Sequence, residues 1–251
     1  MTPKNLPRID ARYWTAILAA SMCGANTGDF ASRILGLGHT RGLLPLALVF
    51  LAIIWAERRS NVATEAYYWL AIIVLRTGAT NLADLGTHDL KLGYFLCMGL
   101  LVALMVAMLL IDHARGVEPT GVVGADGRWR SLPATDASYW ITMLAAGTLG
   151  TAAGDWVAEE AGLGTGFGSV VLVAILIVVW FVSNQYGKMT KPWYWLTIVA
   201  ARTAGTTLGD YLASRRGLNL GLVVSTIFTS LLLAGIVILW RDRRAASLRE
   251  A

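Results

Sequence analysis

Apolar segments of helical length follow one another along this chain, and polar residues are confined to every second one. The eight segments lie at roughly 13–32, 42–57, 67–86, 92–112, 139–158, 165–184, 193–212 and 218–240. The first, third, fifth and seventh carry polar residues at helical spacing, whereas the others are almost purely aliphatic. Because a membrane-spanning helix needs about 20 mostly apolar residues, we predict an all-α polytopic membrane protein with eight transmembrane helices.

The four polar segments share one motif. In each, a Tyr-Trp pair is followed by an aspartate that lies fifteen residues after the Trp. The spacing from Asp29 to Asp155 equals that from Asp84 to Asp210, at 126 residues. We therefore predict four two-helix repeats, arranged in two halves that are related by a pseudo-twofold axis along the membrane normal. Parallel repeats of this kind occur in transporters, whose sites often lie at the repeat interface. The four pairs are Trp14/Asp29, Trp69/Asp84, Trp140/Asp155 and Trp195/Asp210.

This division gives a first half at 1–112, a linker at 113–138, a second half at 139–240 and a basic tail at 241–251. The leader contains Lys4, Arg8 and Arg12, as that of a signal peptide would. The segment that follows it recurs three more times, however, so we expect it to be kept rather than cleaved.

Composition excludes an ordinary soluble domain, because the chain is 56% hydrophobic and only 15% charged. The net charge of +5 does not indicate nucleic acid, because the basic residues sort by predicted membrane side. Fourteen of the 21 Lys and Arg lie in the two termini, the linker and the loops near 58–64 and 185–192. The positive-inside rule then places both termini in the cytoplasm, and we expect a bacterial inner membrane protein that could form homo-oligomers.

The repeat layout resembles a bacterial family of integral membrane proteins of unknown function, which carry four tandem two-helix repeats, each with a Trp. Its members are often labelled uncharacterised membrane-anchored proteins. The resemblance extends from about Tyr13 to Trp240. It implies the fold and no activity.

Each aspartate ends a polar stripe, because residues three, four and seven positions earlier share its helix face. The carboxylate, hydroxyl and amide oxygens of these stripes suit hard cations such as Mn²⁺, Mg²⁺ or Ca²⁺. We predict that the four aspartates converge on a hydrated pocket and bind a cation there, with a bound divalent metal ion as one form. The predicted site comprises Asp29, Asp84, Asp155, Asp210, Asn26, Thr80, Asn81, Thr151, Thr206 and Thr207.

A stripe of small residues runs beside the polar stripe and predicts close helix packing. The polar helices should therefore form the inner bundle, with the aliphatic helices outside. The glycines concerned are Gly24, Gly28, Gly150, Gly154, Gly205 and Gly209, with Ala79 and Ala83 as the equivalents in the second unit.

Two arginines, Arg76 and Arg202, lie two helical turns before Asp84 and Asp210. A charged group at the centre of a membrane helix costs about 2.5–3.5 kcal/mol, so we expect each to be paired or hydrated. They could be structural counter-ions of the carboxylates, or they could bind an anion. Arg33 could pair with Asp29. We interpret the Tyr-Trp pairs as anchors at the membrane interface.

The leading functional hypothesis is a secondary transporter that moves a small cation and exchanges protons at the four aspartates. One alternative is a transporter or exporter of a small anionic organic solute that uses Arg76 and Arg202. A second is a structural membrane protein in which the aspartates are solvated or tie helices together. An enzyme is not expected, because no metalloprotease motif, nucleophile elbow or phosphate-binding loop is present. Cys23 and Cys97 lack the CxxC spacing of a redox pair.

Overall fold

The structure is a computed structural model, and it describes residues 7, 9–60, 64–116, 120–123, 129–132, 135–185 and 188–239. The basic tail at 241–251, part of the linker, and Lys4 and Arg8 of the leader lie outside these residues. The described chain is mostly helical. Its helices are α1 (Ala11–Asp29), α2 (Gly38–Arg41), α3 (Leu43–Arg59), α4 (Ala66–Asp84), α5 (Gly93–Ala114), α6 (Ala137–Ala158), α7 (Gly164–Gln185), α8 (Lys191–Ala213) and α9 (Leu222–Leu239).

Local sequence explains where the inner helices begin. Asp10 caps α1, accepting a hydrogen bond from the backbone N–H of Tyr13 at 2.9 Å. Asp136 caps α6 in the same way, through the N–H of Tyr139 at 3.0 Å. A proline in the first turn starts α8, where its missing N–H costs no helical hydrogen bond.

The four helices that carry the Tyr-Trp motif form an inner ring in the order α1, α4, α6, α8, and α8 packs back against α1. Each outer helix packs mainly on the inner helix of the following unit: α3 on α4, α5 on α6, α7 on α8, and α9 on α1. The four repeats are therefore interlocked around a closed ring. The inner position of the polar helices agrees with the prediction from the small-residue stripes.

The outer helices carry the apolar surface of the molecule. The four segments that are long and apolar enough to cross a membrane, among the residues described, are Gly38–Arg59, Gly93–Ala114, Gly164–Ser183 and Leu222–Leu239. Large side chains on their outward faces are well exposed, as are Phe95 at 69% and Leu231 at 67%. Exposed apolar area on this scale is typical of a surface that contacts lipid or another protein.

The inner helices are not broken at the Gly-Asp step. In the first two units the chain continues past the aspartate into a π-helical turn, at Phe30–Ile34 and Leu85–Asp89. Each unit then turns into its outer helix through two residues in the left-handed region, two positions apart. The second of each pair is a glycine, which adopts this conformation without strain. The pairs are Gly36/Gly38, Lys91/Gly93, Gly162/Gly164 and Asn219/Gly221.

The linker contains secondary structure that the sequence did not suggest. Strands β1 (Thr120–Val123) and β2 (Trp129–Leu132) pair antiparallel, and β2 pairs parallel with the short β3 (Lys188–Met189). This small sheet joins the linker to the loop between α7 and α8.

Candidate functional site

Every fourth residue of each inner helix, from the tyrosine to the aspartate, contributes to one of five layers stacked along the bundle. Such a row advances about 6 Å per step at ~1.5 Å per residue. The outermost layers lie sixteen residues, or about 24 Å, apart. The layers in order are Tyr13/Tyr68/Tyr139/Tyr194, Ile17/Ile72/Met143/Ile198, Ser21/Arg76/Gly147/Arg202, Ala25/Thr80/Thr151/Thr206 and Asp29/Asp84/Asp155/Asp210.

The tyrosine layer is a closed ring of hydrogen bonds, which we call the tyrosine ring. The hydroxyl oxygens of Tyr13 and Tyr68 lie 2.8 Å apart, and those of Tyr68 and Tyr139 2.9 Å apart. Tyr194 completes the ring at 2.9 Å from Tyr139 and 2.7 Å from Tyr13. All four side chains are buried. The interpretation of the Tyr-Trp pairs as interfacial anchors is therefore wrong for the tyrosines, which point inward and seal one end of the bundle.

The next layer continues this seal. Its four side chains are fully buried and belong to the same apolar core as the aromatic rings of the four tyrosines. They are Ile17, Ile72, Met143 and Ile198. An apolar layer beside a closed ring of hydroxyls leaves no polar route along the axis at this end.

Arg202 lies one layer further in, is completely buried and bonds to all three other inner helices. Its Nη1 donates to the carbonyl of Ser21 at 2.6 Å, and its Nη2 donates to the carbonyl of Arg76 at 3.1 Å and to Thr80 Oγ1 at 2.5 Å. Its Nε donates to Thr151 Oγ1 at 3.1 Å and to the carbonyl of Gly147 at 3.3 Å. The guanidinium therefore ties the bundle together through neutral oxygens.

Arg76 is 1% exposed, and its Nη2 donates weakly to Met143 Sδ at 3.7 Å. Its Nε and Nη1 have no hydrogen-bond partner among the described residues. Neither Arg76 nor Arg202 forms a contact ion pair with an aspartate within the described part of the chain. The reason is axial distance, because the aspartates lie two layers away.

The aspartates line one cavity of about 1410 Å³, which we call the axial cavity. Thr80, Thr151 and Thr206, one turn earlier on their helices, form its floor. Its mouth lies at the end of the bundle opposite the tyrosine ring, where Arg33, His39, Arg215 and Arg216 also line it. The predicted convergence of four carboxyl groups on one pocket is thus what the structure shows.

The four carboxyl groups differ in their partners. Asp29 forms an ion pair with Arg33 at 3.4 Å, and Asp84 lies 3.6 Å from Nε2 of His39. Nδ1 of His39 is held by Asp89 at 2.9 Å. Asp155 and Asp210 make no ion pair or hydrogen bond with any other described side chain. The aspartates of the first two units therefore have a contact partner, and those of the last two have none among the described residues.

Three predicted ligands do not line the cavity. Asn26 lies against Gly209 of α8, Asn81 lies against Gly42, and Thr207 donates back to the carbonyl of Thr203 at 3.3 Å. All three lie three residues before an aspartate, which turns them toward a neighbouring helix, whereas the residues four before it face the axis. Within the described chain no three His, Cys, Asp or Glu side chains are close enough to hold a metal ion. The four aspartates therefore do not form a ready-made metal site.

The predicted glycines lie where the inner helices approach one another. A Cβ on Gly150 would lie 2.6 Å from Cβ of Arg202, and one on Gly154 would lie 3.3 Å from Cβ of Thr206. Gly24 and Gly28 face α4, and Gly205 and Gly209 face α1. Each small-residue stripe therefore packs against the residues that the next helix in the ring contributes to the third and fourth layers.

Two further titratable side chains near the aspartates also line the cavity. His88 does so, and Thr87 Oγ1 lies 2.8 Å from its Nδ1. Glu159 does so as well, and it accepts a hydrogen bond from the Tyr94 hydroxyl at 2.6 Å.

Comparison with known families gives a match to a Repeat of Unknown Function (DUF347) at residues 12–62, 138–186 and 193–245, which together cover more than half of the chain. These ranges fall on the first, third and fourth units. The second unit has the same helix pair and the same five layers. Searches of curated proteins and of solved structures gave no significant match.

Proposed function

We propose that this chain, which belongs to the DUF347 repeat family, is a secondary transporter that moves a small cation and exchanges protons at the cavity aspartates. The description of the family assigns no activity, so the proposal rests on the site. The observation that carries it is the convergence of four carboxyl groups on one axial cavity inside a helical bundle with an apolar exterior. Acidic residues are expensive inside a membrane and commonly mark ion or proton pathways.

In this proposal all eight long helices cross the bacterial inner membrane, with both termini in the cytoplasm. The inner helices carry polar stripes, which the outer helices shield from lipid. The tyrosine ring then lies toward the cytoplasm, and the axial cavity opens to the outside. The closed tyrosine and isoleucine layers correspond to an outward-open state.

Transport follows from competition for the carboxyl groups. The aspartates lie within electrostatic range of one another, as Asp155 does of Asp210, Asp84 and Asp29. Carboxylates that repel one another are stabilised when a proton or a cation binds among them. A cation that enters from the mouth displaces protons, and protons that return displace the cation. Rocking of the two halves, at the interface where such repeats place their sites, opens the tyrosine ring and closes the mouth.

The alternative of an anionic solute loses support from the geometry. Arg202 has all its nitrogens engaged with carbonyl and hydroxyl oxygens. Neither Arg76 nor Arg202 lines the axial cavity. A solute bound beyond the mouth would contact the four carboxyl groups rather than Arg76 or Arg202.

The test uses purified protein in liposomes that contain a pH-sensitive dye. We expect cations added from outside to release protons into the medium and to raise the internal pH, at a rate that depends on the cation. Replacement of any one cavity aspartate by asparagine should slow this flux at least tenfold, because one lost charged hydrogen bond costs about 1.5–3 kcal/mol and about 1.4 kcal/mol corresponds to a factor of ten. The variants are Asp29→Asn, Asp84→Asn, Asp155→Asn and Asp210→Asn.

Asp10→Asn is the matched control, because asparagine also caps helices and Asp10 lies at the far end of α1. It should transport like the wild type. Wild-type rates in all four cavity variants would refute the proposal, and so would a wild-type protein that moves neither protons nor any cation of a broad panel. The latter result would favour a structural role.

A further inference from the structure

The axial cavity is asymmetric in a way that four equivalent repeats do not require. On the side of the first two units, Asp29 forms an ion pair with Arg33, and Asp84 lies 3.6 Å from Nε2 of His39. On the side of the last two, Asp155 and Asp210 have no ion pair or hydrogen bond within the described residues. The two carboxyl groups without a contact partner therefore lie on α6 and α8, below the mouth that Arg33, Arg215 and Arg216 line.

Unpartnered hydroxyl groups lie on this same side. Thr206 is 1% exposed and lines the cavity, and its Oγ1 has no hydrogen-bond partner among the described residues. Oγ of Ser214, one turn after Asp210, and Oγ1 of Thr165, at the start of α7, also line the cavity without a partner. The corresponding threonines of the floor, Thr80 and Thr151, are occupied by Arg202.

A buried hydroxyl without a partner is unfavourable by about 1–3 kcal/mol. Of the four residues in the floor layer, Ala25 has no hydroxyl, and Thr80 and Thr151 are bonded to Arg202, so Thr206 is the one whose hydroxyl lacks a partner among the described residues. It lies one turn before Asp210 on α8, and a ligand beside that carboxyl group can therefore supply the missing partner.

The wall beside these groups is apolar. Leu163 and Phe167, two residues either side of Thr165, and Leu222 at the start of α9 also line the cavity. The cavity, at about 1410 Å³, exceeds the roughly 300–1,000 Å³ of common small-molecule sites. Both features suit a ligand with a carbon body better than a bare ion.

We propose that the wall formed by α6, α7 and α8 is the cargo-binding subsite and that its ligand is an organic cation with N–H donors, such as a protonated primary amine. The inference rests on the proposed transport function and names its cargo class. Asp155 and Asp210 balance the positive charge. Thr206 accepts a hydrogen bond from the ammonium group, and Leu163, Phe167 and Leu222 contact the carbon body.

An ammonium group fits these observations better than a metal ion. A bare divalent cation takes six or more oxygen ligands at about 2.0–2.6 Å, and no three acidic, His or Cys groups of the described chain are close enough to provide such a set. An ammonium group needs only a few acceptors at hydrogen-bond distance. Asp29 and Asp84, which already have Arg33 and His39 as neighbours, are left to take part in proton exchange.

The test measures binding by isothermal titration calorimetry on the purified full chain in detergent. The probes are phenethylammonium chloride, its neutral analogue 2-phenylethanol, and manganese chloride. We expect phenethylammonium to bind at least tenfold more tightly than either of the others. Asp155→Asn and Asp210→Asn should each weaken its binding at least tenfold, whereas Asp29→Asn and Asp84→Asn should change it less than threefold.

Thr206→Val should weaken phenethylammonium binding about three- to tenfold. Its matched control is Thr207→Val at the next residue of α8, where the hydroxyl already donates to the carbonyl of Thr203 at 3.3 Å. The comparison of the three probes on wild-type protein needs no variant, so a variant that does not fold leaves the proposal testable.

The outcomes separate this inference from the transport proposal. If manganese binds and drives proton flux while phenethylammonium does neither, the cargo class is wrong and the transport proposal stands. If all four aspartate variants lose phenethylammonium equally, the division of the cavity into two walls is wrong. If no probe binds and no cation drives flux, both proposals fail.

Discussion

The tyrosine ring makes a prediction about the pattern of stability loss, not only its size. Each hydroxyl in the closed ring donates one hydrogen bond and accepts one, so four groups share four bonds. Replacing one tyrosine by phenylalanine breaks two bonds and leaves one donor and one acceptor unpaired. At about 0.6–1.5 kcal/mol per bond, Tyr194→Phe should lower the free energy of unfolding by about 1–3 kcal/mol.

Pairs of replacements then differ by their position in the ring. The adjacent pair Tyr13→Phe/Tyr194→Phe breaks three bonds and leaves Tyr68 and Tyr139 bonded to each other. The diagonal pair Tyr68→Phe/Tyr194→Phe breaks all four bonds and isolates two buried hydroxyls. The diagonal pair should therefore be the less stable by one further bond, which leaves one further donor and one further acceptor unpaired, or about 1–3 kcal/mol.

The assay is equilibrium or thermal unfolding of purified protein in detergent micelles, with all variants at equal detergent concentration. The wild type, Tyr194→Phe and the two double variants complete the set. Equal stability of the adjacent and diagonal pairs would refute the reasoning, because it would mean that the hydroxyls are independent of one another or reach water.

Gly150→Ala should lower the free energy of unfolding by about 1–3 kcal/mol, because the new Cβ overlaps Arg202. Its control Gly99→Ala, where the added Cβ meets open space, should raise the free energy of unfolding slightly. Equal effects of the two replacements in unfolding curves would contradict the close packing of α6 on α8. Arg202→Lys should strongly reduce the yield and melting temperature of the protein, since a point charge cannot replace a fork that bonds three other helices; an unchanged melting temperature would contradict this. In a background without the native cysteines, a cysteine at Ala158 should react with a membrane-impermeant maleimide added outside the cell and one at Ile72 should not; the reverse result would invert the proposed orientation.

The inner and outer roles of the helices and the convergence of the aspartates could be predicted because they follow from local periodicity. Polar and small residues at a fixed offset from each aspartate define a helix face, and four like faces can be satisfied together only around one axis. The same periodicity would also have predicted the tyrosine ring. The tyrosine lies sixteen residues before the aspartate in every unit, and the residues at each fourth position between them give the intermediate layers.

Other features have no sequence signature. Arg202 bonds chiefly to backbone carbonyls, and every residue has one, so its partners could not be named in advance. Whether Asn26, Asn81 and Thr207 line the cavity depends on how each inner helix is oriented in the ring. That orientation decides whether the residues three before the aspartate or those four before it point toward the axis. The packing of each outer helix on the inner helix of the next unit could not be predicted from the sequence either, because all four outer helices have a similar hydropathy.

Because every outer helix is held by the neighbouring unit, the ring has no natural first member. The beginning of α1 lies beside the end of α9, where Arg12 Nη2 donates to the carbonyl of Val237 at 2.9 Å. A short peptide joining these two ends, with a new opening cut between any two units, would preserve every interhelical contact. The unit at which the chain begins is thus free to vary, provided that the cyclic order of the four units is kept, because Ser21, Arg76 and Gly147 each supply a different contact to Arg202.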